Sequence, residues 1–98
     1  MSSSSAPASR KRLRLHPEAK TIAAQVGLSQ AEWARNADVN VSTIKAALNP
    51  SQHPHRKGGI SAPVAWKLAR AYHAAATKLE PDLTLDDAYS RLIIEEFV

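Results

Sequence analysis

The sequence predicts a single all-α domain of five helices behind a flexible N-terminal arm. Five segments carry apolar residues three and four positions apart, and each follows a capping residue or a proline typical of a helix start. Only five of the 98 residues are aromatic, so we expect alanine-rich helix packing rather than a β-sandwich. The chain has no cysteine, which excludes disulfides and thiolate metal sites. No apolar run approaches the roughly 18 residues that span a bilayer, so we expect no membrane partner.

Charge is unevenly distributed along the chain. Residues 1–79 contain twelve Lys and Arg against three acidic residues, whereas residues 80–98 contain one arginine against six acidic residues. A basic body with an acidic end indicates one part that binds a polyanion and another that avoids it. An uneven surface charge without a functional role is the alternative. The absence of cysteine fits an intracellular setting, in the cytoplasm or nucleoid.

Residues 1–15 have the composition of a basic arm, and the folded domain is predicted over residues 16–98. The first nine residues are rich in serine and lack core formers, which predicts a flexible segment. The cations that follow are Arg10, Lys11, Arg12 and Arg14. A basic block of this kind often binds nucleic acid. A solvated tail explains it equally well, so both interpretations stay open.

The first helix is expected to start at Pro17 and to end at Gly27. Proline suits the first helical position, and glycine readily adopts the left-handed conformation that ends helices. Ser29 then caps a second helix, and Glu32, three residues later, completes a capping box. Trp33 takes an apolar position on this helix, so we interpret it as a packing residue rather than a platform for base stacking.

The third helix is predicted over about residues 40–49, because the proline that follows disfavours helix in the residue before it. A basic loop with two glycines is expected over residues 50–60. Ser61 caps a fourth helix. Thr84 caps a fifth helix, predicted over about residues 85–97.

The end of the chain carries more apolar surface than one small core needs. These apolar residues are Ile93, Ile94, Phe97 and Val98. Exposed apolar patches mark contact surfaces, so they are candidates for a homodimer or partner surface. The alternative is that they complete the core.

The segment DVNVSTI, residues 38–44, alternates polar and apolar residues, so it fits either a strand or a corner between two helices. A strand would be isolated in an otherwise helical chain, with no partner for its backbone groups. Alternation would also place Val39 and Ile44 on opposite faces, whereas a turn followed by a helix lets both point at the core. We therefore predict two short helices joined by a turn, which describes a helix-turn-helix.

The corner carries a fairly specific pattern over 22 residues. Its members are Leu28, Ser29, Gln30, Glu32, Ala34, Val39, Ser42, Thr43, Ile44 and Asn49. This pattern resembles the helix-turn-helix of the Cro and phage-repressor-like family of regulators, and a weaker likeness extends over roughly residues 17–94. The resemblance implies a compact five-helix domain of the phage-repressor type. It also implies a repressor or other transcriptional regulator that binds double-stranded DNA, usually as a dimer.

The resemblance also implies roles for single residues, with the third helix in the major groove. The base-facing residues would be Val41, Ser42, Lys45 and Ala46. The backbone-contacting residues would be Gln30, Asn40, Thr43 and Asn49. The loop after the third helix is longer than is typical of the family, and we expect its Arg56 and Lys57 to extend the backbone contact. Affinity that comes mainly from phosphate contacts makes binding strongly dependent on salt.

The sequence departs from the family pattern at three positions. Asp38 replaces the usual turn glycine, although aspartate tolerates the left-handed region better than most residues. Val41 and Ala46 replace long polar side chains and cannot form a hydrogen bond with a base. We therefore expect few direct hydrogen bonds between this helix and the bases. The remaining specificity would come from DNA shape or from the arm in a minor groove.

Other chemistry has little support in the sequence. His53 and His55 lack a third and a fourth metal ligand nearby, and no nucleophile with a base and an orienting group occurs, so we expect neither an enzyme nor a cofactor. Two alternatives to a specific regulator stay open. One is an adaptor or antitoxin-like subunit that acts through protein contacts, and the other is an architectural DNA binder.

Overall fold

The structure is a computed structural model that describes residues 11–48 and 59–97. Its described part contains five helices and three strands. Their order is β1 (Lys11–Leu15), α1 (Ala19–Ala24), α2 (Gln30–Ala37), α3 (Val41–Leu48), β2 (Gly59–Ile60), α4 (Ala62–Ala76), α5 (Leu85–Leu92) and β3 (Ile93–Phe97). None of the described helices is long and apolar enough to cross a membrane.

A three-stranded antiparallel sheet corrects the prediction of an all-α domain. Strand β1 lies between β2 and β3. Leu15 is paired with Ile93, and Leu13 is paired with Ile60 on one side and with Glu95 on the other. The sheet therefore joins the two ends of the described chain and packs beside the helices.

Strand β1 occupies residues that were predicted to belong to the flexible arm. Leucines alternate with arginines here, and alternate residues of a strand face opposite sides of a sheet. Leu13 and Leu15 are buried in the core, whereas Arg12 and Arg14 are half-buried on the other face. Since both edges of this strand are paired, residues 11–15 are part of the fold and not an arm.

The C-terminal helix is shorter than predicted. It ends at Leu92 rather than at about residue 97, because Ile93 adopts extended backbone with φ −115° and ψ 128°. Successive isoleucines favour a strand, and Ile93 is buried with 5% of its surface exposed. The backbone N–H of His16 donates to the Leu92 carbonyl at 2.7 Å, which satisfies a backbone group at the helix end.

The predicted caps of three helices are confirmed. Ser29, Ser61 and Thr84 each accept a hydrogen bond from the backbone N–H three residues further on, at 3.2, 3.4 and 3.1 Å respectively. These bonds satisfy N–H groups that a helix start otherwise leaves without a partner. Helix α1 starts at Ala19, slightly later than its proline predicted.

Four large side chains lie at the centre of the core: Trp33, Ile44, Leu68 and Leu92. The indole Nε1 of Trp33 donates to the backbone carbonyl of Leu68 at 3.0 Å, so its polar atom is satisfied inside the protein. The prediction that Trp33 is a packing residue is confirmed, and it ties α2 to α4.

An exposed ion pair orients α5 against the turn that follows α4. Two nitrogens of the Arg91 guanidinium donate to the Glu80 carboxylate at 2.7 and 2.8 Å, and Nη1 also donates to the Tyr72 hydroxyl at 3.1 Å. The hydrogen bond from Arg91 lowers the pKa of Glu80, and the bonds to Glu80 and Tyr72 raise the pKa of Arg91. Because both side chains are exposed, the pair contributes little stability.

Candidate nucleic-acid interface

The corner between α2 and α3 is built in the same way as the corner between α1 and α2. Gly27 and Asp38 both adopt left-handed backbone, with φ of 82° and 59°. At each corner the backbone N–H of the left-handed residue donates a hydrogen bond to the carbonyl of the residue three positions earlier in the chain. The next N–H bonds the carbonyl five residues back, and these bonds measure 3.0 to 3.2 Å. This is the Schellman arrangement that ends helices, so the predicted turn at Asp38 is confirmed.

Asp38 is the position where this corner is most strained. Replacing it with alanine is expected to lower the free energy of unfolding by about 1 kcal/mol, because alanine tolerates the left-handed region less well than aspartate. Replacing it with glycine should leave that free energy unchanged or raise it by up to about 1 kcal/mol. Urea unfolding followed by tryptophan fluorescence measures both changes. Equal effects of the two substitutions would contradict the left-handed turn.

Helix α3 begins with a local hydrogen-bond network that the predicted roles did not include. The side-chain Oδ1 of Asn40 accepts from the Ser42 backbone N–H at 3.2 Å and from its hydroxyl at 3.1 Å. Asparagine at a helix start commonly caps the backbone two residues on, so its spacing from Ser42 was the available signal. Asn40 therefore fixes both the start of α3 and the orientation of the Ser42 hydroxyl.

The exposed face of α3 is narrow. Ser42 and Lys45, three residues apart and so on one side of the helix, are both exposed. Ile44 and Ala47 are buried on the opposite side, and Val41 is half-buried against the core. The buried side chains hold α3 against the core, and the side chains of Ser42 and Lys45 point outward.

Ala46 does not face outward as the resemblance implied. It has 3% of its surface exposed, so its methyl group is not available to a base edge. Thr43 is half-buried. Of the four residues predicted to face bases, only Ser42 and Lys45 are therefore exposed, and Val41 is half-buried.

A second group of polar side chains lies at the start of α2. Gln30 is half-buried and lines a shallow hollow of about 350 Å³ together with Lys20, Ser29 and Trp33. The Ser29 hydroxyl also donates to the Glu32 carboxylate at 3.1 Å, which holds that carboxylate at the helix start. Gln30 is thus the first residue of α2, beside a carboxylate that weakens the attraction of this helix start for anions.

Three of the predicted arm cations lie on the sheet: Lys11, Arg12 and Arg14. Arg12 and Arg14 share the outer face of β1, and the Arg14 guanidinium lies 3.2 Å from the Glu96 carboxylate. Because β1 is paired on both edges and also packs against α3, it cannot enter a minor groove as a free arm. The prediction of a flexible arm is therefore wrong for residues 11–15, and the rest of the predicted arm lies outside the described residues.

Two of the four side chains predicted to form an apolar C-terminal surface, those of Ile93 and Ile94, are described, and neither is fully exposed. Ile93 belongs to the core cluster, and Ile94 is half-buried on the outer face of β3. Pairing with β1 explains both positions, since residues 93 and 94 of a strand face opposite sides. For Ile93 the core interpretation is confirmed and the interface interpretation is wrong.

Several predicted site residues lie outside the described part of the chain. These are Arg10, Asn49, Arg56, Lys57 and Val98, together with His53 and His55, and the side chains of Lys11 and Phe97. Among the described residues, no group of three or more metal-ligating side chains is arranged to hold an ion.

No protein-family model, curated protein or solved structure matches the chain. A function for the chain is therefore inferred from the geometry of its described residues.

Proposed function

We propose that the chain binds double-stranded DNA through α3 and the start of α2, and that it acts as a transcriptional regulator. The observation that supports this most is the corner itself. Two eight-residue helices meet at a left-handed turn, and the second one buries Ile44 while exposing Ser42 and Lys45. A short anchored helix with a polar outer strip fits the major groove of B-DNA.

The hydrogen bonds at the start of α3 sharpen the roles of two polar residues. The Ser42 hydroxyl donates a hydrogen bond to Asn40 Oδ1, so the lone pairs of the hydroxyl oxygen remain available as acceptors. Ser42 then suits the exocyclic amino group of an adenine or a cytosine. The Asn40 amide nitrogen keeps its two protons and suits a phosphate oxygen beside the groove.

Lys45 and Gln30 complete the proposed contact. Lys45 has the reach for guanine O6 and N7 or for a phosphate, and the side-chain amide of Gln30 can donate a hydrogen bond to a phosphate oxygen. This set reads few bases, so we expect two copies of the chain to bind a near-palindromic site. The basic residues of the body would add affinity that falls as salt increases.

The adaptor alternative gains no support from the described residues. It depended on an apolar C-terminal surface, and Ile93 is part of the core instead. Among large apolar side chains in the described part, only Leu79 is strongly exposed, and one such residue is common on protein surfaces.

Replacing Ser42 and Lys45 together with alanine tests the proposed contact. We expect the affinity for a selected DNA site to fall about 10- to 100-fold, because one base contact contributes about 1–3 kcal/mol. If Lys45 contacts a phosphate, the slope of log affinity against log salt should also decrease by about 1 for each bound chain. Fluorescence anisotropy with labelled duplex DNA at several salt concentrations measures both quantities.

A matched double variant controls for the loss of one charge and one hydroxyl. Lys78 and Ser90 are also exposed but lie after α4 and on α5, so Lys78→Ala with Ser90→Ala should bind DNA almost as well as the parent chain. If the Ser42 and Lys45 variant matched this control in affinity and in salt slope, α3 would not be the reader.

A further inference from the structure

A groove between the α1–α2 corner, α2 and α4 is separate from the proposed DNA contact. It has a volume of about 620 Å³, which is within the range of small-molecule sites. Both left-handed residues, Gly27 and Asp38, lie on its border. None of the residues assigned to DNA contact lines it.

Three cations line the α4 side of this groove: Lys67, Arg70 and Lys78. Lys67 and Arg70 lie one helical turn apart on α4, so both side chains reach the same end of the groove. Within the described residues, none of the three forms an ion pair with a carboxylate. Their positive charge is therefore not neutralised by contacts inside the described structure.

Apolar side chains form the floor between the charged walls. Leu28 and Ala71 are buried there, and Val26 and Ala75 are half-buried. The lining residues of α4 include several alanines, whose small side chains leave space for a ligand beside the helix. The floor would contribute to binding by covering an aliphatic or aromatic group.

Two carboxylates line the other side of the groove, which restricts where an anion can bind. The Glu32 carboxylate accepts a hydrogen bond from the Ser29 hydroxyl, and Asp38 lies at the turn. Like charges repel, so the anionic end of a ligand would face α4, with its apolar part over Leu28 and Ala71.

We propose that this groove binds a small amphiphilic anion, with its carboxylate or phosphate on Lys67 and Arg70 and its apolar chain on the floor. A DNA backbone is a poorer occupant, because phosphates and sugars gain little from an apolar floor at the base of a concave groove. The proposal does not depend on DNA binding.

NMR titration of the full chain with octanoate, octyl phosphate and 1-octanol tests this proposal. We expect at least one of the two anions to produce saturable amide shifts at Gly27, Asp38 and residues 67–78, and 1-octanol to produce none. The relative affinities of the two anions distinguish a carboxylate ligand from a phosphate ligand. Lys67→Gln with Arg70→Gln should weaken anion binding at least ten-fold.

The matched control is Lys20→Gln with Arg35→Gln, which removes two exposed cations that do not line the groove. It should bind the anions like the parent chain, and a dispersed amide spectrum shows that each variant is folded. Several results would overturn the proposal: no saturable shifts with either anion, equal binding of 1-octanol, or equal weakening in both double variants. Groove shifts that appear only with a short unrelated DNA duplex would instead assign these cations to a DNA backbone.

Discussion

Replacing Trp33 with alanine is expected to lower the free energy of unfolding by about 3–5 kcal/mol. The side chain is fully buried, and its loss would leave a cavity between α2 and α4 and remove the hydrogen bond to the Leu68 carbonyl. Small domains have a total stability of only about 5–15 kcal/mol, so the variant should be close to unfolding. Urea unfolding followed by far-ultraviolet circular dichroism measures the loss.

Trp66 provides the control for this substitution. It is half-buried and stacks on Tyr89, with ring centroids 4.1 Å apart. Trp66→Ala removes the same atoms from a site that water already reaches, so its cost should be clearly smaller. If Trp33→Ala cost no more than Trp66→Ala, Trp33 would not be the central packing residue of the domain.

Replacing Leu15 with alanine should lower the free energy of unfolding by about 2–5 kcal/mol. Leu15 has 3% of its surface exposed, and it is paired with Ile93 at one end of the β1–β3 pairing. The same substitution in a flexible arm would leave stability unchanged. Thermal and urea unfolding therefore decide between the strand and the arm that the sequence suggested.

Arg12→Ala is the matched control within the same strand, because Arg12 lies half-buried on the outer face. Its effect on the free energy of unfolding should be within about 0.5 kcal/mol, as for most surface substitutions. Equal effects at residues 12 and 15 would contradict the assignment of the two faces of β1.

The helices could be predicted from the sequence because their signals are local. Ser29, Ser61 and Thr84 each bond an N–H only three residues away, and the stripe of apolar residues repeats within each helix. The sheet could not be predicted from such local signals, because Leu15 pairs with Ile93 across almost the whole chain. The alternation of Leu13 and Leu15 with arginines is the signal for β1 in the sequence, but the dense positive charge of the same residues equally favours an arm.

The candidate site shows the same division between local and long-range effects. Helical spacing was sufficient to place Ser42 and Lys45 on the outer side of α3 and Ile44 on the inner side. The burial of Ala46 depends on how other segments pack around α3, which spacing does not determine. The groove beside α4 was not predicted because its residues come from three separate segments of the chain, namely the α1–α2 corner, α2, and α4 with the turn after it.

Selection of bound sequences from random double-stranded DNA at two salt concentrations tests the proposed function most directly. We predict that the chain enriches a near-palindromic motif, more strongly at low salt, and that Ser42→Ala with Lys45→Ala reduces this enrichment. Failure to retain DNA at either salt concentration would contradict DNA binding. Enrichment without a motif, or an unchanged motif in the variant, would contradict sequence reading by α3.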